Sequence, residues 1–266
     1  MLGRRVRVPE RIARVVSLAP SLTEIVYALG AGSRLVGVTD QCNFPPEVLE
    51  KPKVGGFFSP SFEVILSLRP DLVLASTEVS RDEHVRGLEQ LGIPVYVVRP
   101  SGFTAVLESV ERVGVLLGRP DEAARLAASM RGEAEAIARR VQGTPRPRVL
   151  YVVWGDPLIV PGRETLITDL IHRAGGESVT GDEPLAYSRF SAEAALARRP
   201  DRVILARHGT ASVDDRLREW PHLGLLPAVR AGRVHMVDGD LVLRPGPRVV
   251  DGLRLLARVL HPEAGW

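Results

Sequence analysis

The chain has 266 residues, of which 45% are hydrophobic and 25% charged, so it can bury the core of one large or two smaller domains. Its formal net charge is +3 and its basic residues are interspersed with acidic ones, which argues against a nucleic-acid-binding surface. No apolar run approaches the roughly 18 residues that a membrane-spanning helix requires. Cys42 is the only cysteine, which excludes an intramolecular disulfide.

The first half of the chain alternates short apolar runs with helical patterns, which predicts parallel βαβ units and a doubly wound lobe. Ser21 and Glu24 have the spacing of a capping box at a helix start, and Gly30 is typical of a helix end. Because Gly30 and Gly32 follow a helix rather than a strand, they do not form a dinucleotide-binding fingerprint. The predicted strands are residues 14–19, 35–38, 72–75 and 95–98, and the predicted helices are residues 21–29, 81–91 and 103–117.

A long helical stretch, rich in Ala, Glu and Arg, follows from residue 120 to about 141 and would be about 30 Å long. The second half then restarts as the first began. Its predicted strands are residues 148–153, 203–206 and 234–237. Its predicted helices are residues 165–174 and the C-terminal segment. Its predicted loops are residues 154–162, the segment around Tyr187 and residues 239–248. We therefore predict an α/β fold with an N-terminal lobe over residues 1–119, a linking helix over 120–143 and a C-terminal lobe over 144–266.

One stretch occurs twice. Residues 61–71 and 191–201 share the pattern S-x-E-x-x-L-x-x-R-P-D, at a constant offset and without a gap. A unit repeated once favours two lobes of one plan, because a solenoid needs three or more units. The alternative is that the pattern is simply common at a helix-to-strand connection. Glu63 and Glu193 fall in first helical turns, where the helix dipole stabilises an acid.

The sequence contains no motif for catalysis. No P-loop, metalloprotease, nucleophile-elbow or paired-cysteine metal motif occurs, so we expect no enzyme and no catalytic cofactor. Among the six scattered histidines, only His208 follows the carboxyl end of a predicted strand, where open α/β sheets bind ligands. His208 and Cys42 are therefore candidate metal ligands, although a solvated loop histidine and an inert buried thiol are the better interpretations.

Four aromatic residues fall in predicted loops: Phe57, Phe58, Trp154 and Tyr187. Core packing is the ordinary role of an aromatic side chain. If these four face one cleft between the lobes, they favour a flat or bulky apolar ligand held between rings. Asp240 and Arg244, in a Gly/Pro-rich segment, are candidates for polar contacts with that ligand. These candidate ligand-binding residues share one property: each lies in a segment that follows a predicted strand.

The chain resembles the substrate-binding proteins of ABC importers for cobalamin and iron chelates. The matching segments are residues 16–24 (VSLAPSLTE), 37–38, 45–46 and 54–56, both copies of the repeat, the linking helix and residues 244–248 (RPGPR). This resemblance covers the chain from Arg11 to the last helix. It implies two Rossmann-like lobes, each with a mostly parallel sheet flanked by helices, joined by one long rigid α-helix, with the ligand in the cleft between them.

Within the family, the chain is most similar to the cobalamin-binding branch. The resemblance places Phe57, Trp154 and Tyr187 around the corrin ring and gives Asp240 and Arg244 polar contacts. Further ligand-binding positions implied by the matching segments are Phe58, Gln41 and Pro20. Two positions depart from the branch: Gln41 stands where a tyrosine is common, and Ser76 where a tryptophan can occur. The haem-binding branch usually carries an axial tyrosine before the first repeat, and this chain has none between Asp40 and Glu63.

The resemblance implies a non-enzymatic protein that captures cobalamin or a related corrinoid and delivers it to a homodimeric membrane permease, on which Glu63 and Glu193 dock. We expect a monomer in solution. A haem or ferric-siderophore binder is the alternative within the family, and a cytoplasmic corrinoid-handling or metal-handling protein or enzyme is the alternative outside it. The N-terminus lacks the apolar region of a signal peptide. We therefore expect either an extracytoplasmic protein, periplasmic or anchored at the cell surface, whose signal is absent from this chain, or a cytoplasmic one.

Overall fold

The computed structural model describes residues 5–207 and 209–266, and these form two compact units. The first unit takes the chain up to Pro100 together with Thr104–Met130, and the second contains Ser101–Phe103 and Arg131–Trp266. Each unit has a parallel sheet flanked by helices, so the predicted two-lobed α/β fold is confirmed. Among the described residues, no helix is both long and apolar enough to cross a membrane.

The first half of the chain builds a four-stranded parallel sheet from its apolar runs. Its elements are β1 (Val15–Ser17), α1 (Pro20–Ala28), β2 (Leu35–Val38), β3 (Gly55–Gly56), β4 (Ser59–Pro60), α2 (Phe62–Ser67), β5 (Leu72–Ser76), α3 (Asp82–Gln90), β6 (Val95–Val98), α4 (Phe103–Leu116) and α5 (Pro120–Arg140). The strand order is β2-β1-β5-β6, with Val15 paired to Leu72 and Val73 paired to Val95. Both faces of the sheet are covered, which is why its strands are continuous apolar runs rather than alternating ones.

The second unit repeats this topology. Its elements after α5 are β7 (Arg148–Val152), β8 (Trp154–Gly155), β9 (Leu158–Pro161), α6 (Leu166–Arg173), β10 (Glu177–Ser178), β11 (Tyr187–Arg189), α7 (Ala192–Ala197), β12 (Arg202–Arg207), α8 (Val213–Glu219), α9 (Pro227–Arg230), β13 (Val234–Asp238), α10 (Gly239–Val242) and α11 (Val249–Leu260). The parallel sheet has the order β10-β7-β12-β13. In both units the parallel strands, counted along the chain, lie in the order second, first, third, fourth. The second half is therefore a copy of the plan of the first.

The two copies of the repeated pattern adopt the same local structure. The hydroxyls of Ser61 and Ser191 cap α2 and α7 by accepting the backbone N–H of the residue three positions on. Each helix then ends at an arginine with a positive φ, 45° at Arg69 and 47° at Arg199. The pattern thus encodes a capped two-turn helix, a left-handed residue and entry into the next strand. The serine at the start of the pattern and the arginine near its end therefore have structural roles at the two ends of a short helix. The pattern occurs twice because both units use the same order of strands and helices.

Some sequence-based predictions of local structure are wrong. Helix α1 begins at Pro20 with Ala19 as its N-cap and no side-chain cap, so Ser21 and Glu24 do not form a capping box. Proline suits the first helical position because its missing N–H is not needed there. The helix end was predicted correctly: Gly30 has a φ of 70°, the left-handed conformation that favours glycine after a helix.

The predicted aromatic loops are also largely β structure. Phe57 and Phe58 form the turn of the hairpin β3–β4, and Trp154 and Tyr187 lie in the antiparallel sheet β11-β9-β8. Asp240 lies in the short helix α10 rather than in a loop. These elements are two to four residues long, and all but β11 contain glycine or proline, so no apolar periodicity marks them. The strands among them form because neighbouring segments pair with them.

Candidate functional site

In an open parallel sheet the ligand site is expected where the strand order reverses, beyond the carboxyl ends of the strands. In the first unit this point lies between β1 and β5. Pro20 follows β1 and is buried as the first residue of α1. Ser76 ends β5, and its hydroxyl accepts the backbone N–H of Glu78 at 3.4 Å. The structure therefore places Pro20 and Ser76 at the same end of neighbouring strands.

The hairpin β3–β4 lies beside the carboxyl end of β2. The backbone N–H of Asp40 donates to the carbonyl oxygen of Gly55 at 3.1 Å. Gly56 lies close to Gln41, because a Cβ added at Gly56 would be 3.5 Å from the side-chain nitrogen of Gln41. The hairpin turn carries Phe57, which is half-buried, and Phe58, which is exposed; their rings meet edge to face with centroids 5.4 Å apart. Gln41 and the two phenylalanines thus belong to one surface of the first unit.

Glu78 adds a carboxyl group at the end of β5 that the sequence analysis did not select. Desolvation raises the pKa of this carboxyl above the ordinary 4.5, although the residue is exposed and water offsets part of the effect. A carboxyl that protonates closer to neutrality can donate as well as accept a hydrogen bond. Glu78 could have been selected from the sequence, because it follows the third parallel strand, β5.

In the second unit the small sheet β11-β9-β8 follows β7. Trp154 pairs with Ile159, and Tyr187 pairs with Pro161 two residues further along β9. Paired residues on neighbouring strands point to the same face, as do residues two apart on one strand. Trp154 and Tyr187 therefore share one face of the sheet. Both are exposed, at 44% and 45% of their surface.

The opposite face of this sheet belongs to the core. Leu158, Val160 and Ser188 point there and are buried. Gly155 lies on the same face, directly against the indole of Trp220, since a Cβ on Gly155 would be 1.8 Å from Cδ2 of that ring. The guanidinium of Arg216 lies 5.0 Å from the centroid of Trp220 and 5.9 Å from that of Trp154. The core face thereby fixes the sheet that presents Trp154 and Tyr187.

The pairing also identifies a residue that the sequence analysis missed. Arg189 pairs with Ile159 from the side opposite Trp154, so the order across the sheet is Arg189, Ile159, Trp154. Arg189 is exposed, and it makes no hydrogen bond or ion pair to any residue that the structure describes. The aromatic face of the second unit therefore carries a cation with no partner within the described chain.

Asp240 and Arg244 lie beyond β13 and pair with each other, at 2.8 Å between the carboxylate and the guanidinium. Asp238 holds the start of α10 by accepting the backbone N–H of Asp240 at 2.9 Å. The Arg244 side chain is only 15% exposed, whereas that of Asp240 is 37% exposed. The pair is therefore presented to solvent mainly through Asp240.

The two candidate metal ligands do not form a site in the part of the chain described. Cys42 is buried, and its sulfur lies 3.2 Å from the hydroxyl oxygens of both Thr23 and Thr39. This arrangement fits the alternative interpretation of an inert packed thiol. His208 lies outside the described residues. Within residues 5–207 and 209–266, no three His, Cys, Asp or Glu side chains gather as metal ligands.

The chain is similar to known binding proteins over most of its length. The family model of the periplasmic binding protein matches residues 15–241. An uncharacterized ABC transporter substrate-binding lipoprotein of Bacillus subtilis is 31% identical, over 94% of this chain and 80% of that protein. Among solved structures, the periplasmic vitamin B12-binding protein of Vibrio cholerae has a TM-score of 0.85 at 25% identity, over 97% of this chain and 100% of that one. The periplasmic heme-binding protein RhuT of Roseiflexus also has a TM-score of 0.85, at 30% identity over 95% and 99% of the two chains.

Their names describe all three as binding proteins, two of them periplasmic and the third a lipoprotein of an ABC transporter. This chain is accordingly a binding protein rather than an enzyme, and it is extracytoplasmic. It belongs to the periplasmic binding protein family.

Proposed function

We propose that this chain is the substrate-binding component of an ABC importer and that it captures cobalamin or a related corrinoid. The observation that carries the proposal is the exposed face shared by Trp154 and Tyr187 in a protein of this family. Two large aromatic rings on one exposed face are a strong apolar contact for a flat macrocycle. The Phe57–Phe58 turn is the corresponding apolar surface of the first unit.

Polar contacts complete the proposed site. A corrin ring carries amide side chains, and in cobalamin one of them bears a phosphodiester. Asp240 can accept hydrogen bonds from the amides, Arg244 can donate to amide oxygens, and Gln41 can do both. Pro20 shapes the end of β1 in the first unit. The ion pair between Asp240 and Arg244 orients both groups in advance of binding.

Haem is the second candidate, for two reasons. The heme-binding protein RhuT is as similar to this chain in structure as the vitamin B12-binding protein is. Tyr187 is an exposed phenol of the kind that ligates haem iron. Against haem, the hairpin turn carries phenylalanines, which cannot ligate a metal, and the whole segment between Asp40 and Glu63 lacks a tyrosine. Corrinoids need no protein ligand, because their cobalt is already coordinated.

Calorimetric titration of the purified protein with cyanocobalamin tests the proposal. We expect saturable binding with one site per chain at micromolar protein. Parallel titrations with haemin and with a ferric siderophore, followed by absorbance, separate the alternatives. Saturable binding of haemin without binding of cyanocobalamin would contradict the corrinoid assignment and leave the transport role in place.

Delivery requires a membrane permease, and we propose that Glu63 and Glu193 dock on the two subunits of a homodimeric one. Both are exposed in the first turn of a short helix, one in each unit, and neither forms an ion pair among the described residues. Hydrogen bonds from its own backbone N–H and from the Ser191 hydroxyl lower the pKa of the Glu193 carboxyl, so it is charged at neutral pH. Carboxylates of this kind pair well with arginine.

Charge reversal at both positions tests the docking role. The double variant Glu63→Lys, Glu193→Lys should abolish transport while ligand affinity stays unchanged, because neither residue lies at the aromatic surfaces. Transport at the wild-type rate would contradict the assignment. We further propose that the protein is a monomer in solution and works in the periplasm or anchored at the cell surface.

A further inference from the structure

Each copy of the repeat exposes three side chains, three residues apart, in the same chemical order. The order is acidic, apolar, basic. We call these residues the docking rows; they are Glu63, Leu66 and Arg69 in the first unit and Glu193, Leu196 and Arg199 in the second. All six are exposed. The glutamate and the leucine, three residues apart, lie on one face of α2 or α7, and the arginine follows the end of each helix. Burial agrees between the copies at these positions although the two helices belong to different units.

The leucines are the apolar members of the rows. Leu66 and Leu196 each expose 41% of their surface. A single exposed leucine needs no explanation. The same leucine at the same exposure in two independent units is a repeated surface feature, placed one turn after a charged glutamate. The core needs neither side chain, because Ile65 and Ala195 fill the buried position of each helix.

The arginines are held in an unfavourable backbone conformation. Arg69 and Arg199 have φ values of 45° and 47°, where a glycine would be free of the steric cost that a Cβ brings. Their side chains make no hydrogen bond or ion pair with any described residue. Their backbone N–H groups close the helix ends by donating to the carbonyl oxygens of Leu66 and Leu196, at 3.0 and 3.1 Å. Backbone bonds therefore account for the conformation, whereas the exposed guanidinium groups remain available to a partner protein.

The second row also borders a concavity. An open depression of about 620 Å³ is lined by all three of its members, Glu193, Leu196 and Arg199, together with Asp201, Pro227 and Arg233. Its lining combines two acids and two arginines with apolar side chains, so it offers contacts to charges of both signs. The shape and the charge of this surface therefore fit a protein partner that presents an apolar side chain flanked by a basic and an acidic group.

We infer that the whole docking row, and not the glutamate alone, binds the permease. Each permease subunit would present a basic group to the glutamate, an apolar side chain to the leucine and a carboxylate to the arginine. This inference rests on the proposed function, because it requires that the chain deliver its ligand to a permease. It adds an apolar and a basic contact in each unit to the proposed contact of the glutamate.

Substitution of the arginines by glycine separates docking from a structural role. The double variant Arg69→Gly, Arg199→Gly relieves the backbone conformation, so a purely structural role predicts equal or higher thermal stability and unchanged function. If the docking rows bind the permease, this double variant should keep its stability and its ligand affinity, but its affinity for the permease should be at least about tenfold lower. The matched control is Ser67→Ala, which changes an exposed residue of α2 outside the docking row.

Affinity is measured with the permease of the same organism in lipid nanodiscs, with the immobilised binding protein as the probe. A second double variant, Leu66→Ser with Leu196→Ser, tests the apolar member and should also lose at least about tenfold. If both variants bind the permease with wild-type affinity, the proposed leucine and arginine contacts are wrong, and the proposed glutamate contacts are unaffected. Failure of the wild-type protein to bind the permease would overturn the proposed function and the inference together.

Discussion

Asp201 and Arg148 bind each other through two hydrogen bonds at the start of β7. The backbone N–H of Arg148 donates to Oδ2 of Asp201 at 2.8 Å, and the backbone N–H of Asp201 donates to the carbonyl oxygen of Arg148 at 2.8 Å. Asp71 makes the same pair of bonds with Arg14, and its carboxylate also accepts the backbone N–H of Ala13 at 2.8 Å. The last residue of each repeat therefore fixes the first strand of its own unit.

Removal of these carboxylates should destabilise the protein through unpaired backbone donors. We expect Asp201→Ala to lower the free energy of unfolding by about 1 kcal/mol and Asp71→Ala by about 2 kcal/mol, because Asp71 accepts two N–H groups through its side chain. Urea denaturation measures both values. Asp71→Asn keeps an acceptor and should lose less than half as much. Equal effects of Asp71→Ala and Asp71→Asn would show that the hydrogen bonds are not the cause.

A methyl group on Gly155 should be poorly tolerated. It would lie 1.8 Å from Cδ2 of the buried Trp220, so the indole or the strand β8 must move. We expect Gly155→Ala to cost about 3 kcal/mol in urea denaturation, the upper range for overpacking. Gly132→Ala is the matched control, since nothing lies within 4 Å of the added Cβ in α5. That change should raise stability by roughly 0.5–1 kcal/mol.

Trp154 and Tyr187 should matter for binding. Tyr187→Ala should lower stability by less than about 1 kcal/mol, because that ring is exposed. Trp154→Ala should cost more, since its ring also contacts Trp220 and Arg216. Loss of a ring from an apolar contact should weaken cyanocobalamin binding at least about tenfold in calorimetric titration. Leu225→Ala removes an exposed apolar side chain elsewhere in the second unit and should leave affinity unchanged. An equal loss in all three variants would indicate a general effect on the fold.

Most parallel strands were predictable because they are continuous apolar runs between turn signals, as residues 72–75 and 203–206 illustrate. The exception is β10 (Glu177–Ser178), whose two polar residues give no such signal. The small antiparallel sheet was not predictable. Its central strand Leu158–Pro161 pairs with Trp154–Gly155 across a two-residue connection and with Tyr187–Arg189, which is distant along the chain. The sequence could identify Trp154 and Tyr187 as aromatics after strands. Arg189 depended on the register of β11 against β9, which no local pattern encodes. Ser21 was mistaken for a cap because Pro20 and Ser21 both suit a helix start.

Stability should fall between pH 7 and pH 5 in part through His235 of β13. Desolvation and, second, the charge of Arg202 lower the pKa of His235 below the ordinary 6.5. The unfolded chain then takes up a proton as the pH falls through 6.5 while the folded chain resists it, so stability is present above this pH and lost below it. Urea midpoints at pH 7 and pH 5 should differ less in His235→Gln than in the wild type. An unchanged difference would exclude His235 as a contributor.

Arg189 should recognise an anionic group at the edge of the ligand. It lies beside Ile159 on the face that carries Trp154 and Tyr187, and it has no partner among residues 5–207 and 209–266. Cyanocobalamin has a phosphodiester in its nucleotide side chain, whereas dicyanocobinamide keeps the corrin ring and lacks that group. A charge-assisted hydrogen bond lost in Arg189→Gln should therefore weaken cyanocobalamin binding about tenfold and change cobinamide binding less than about twofold.

The comparison of the two ligands makes the result specific, since a change in ring stacking would affect both equally. Arg258→Gln is the control, because it removes the same charge from an exposed position on α11 with no hydrogen-bonding partner among the described residues. It should leave both affinities unchanged. If Arg189→Gln weakens both corrinoids to the same extent, Arg189 supports the aromatic face rather than the phosphodiester. If haemin proves to be the ligand, its propionates are the anionic groups, and haemin binding should then weaken about tenfold in Arg189→Gln.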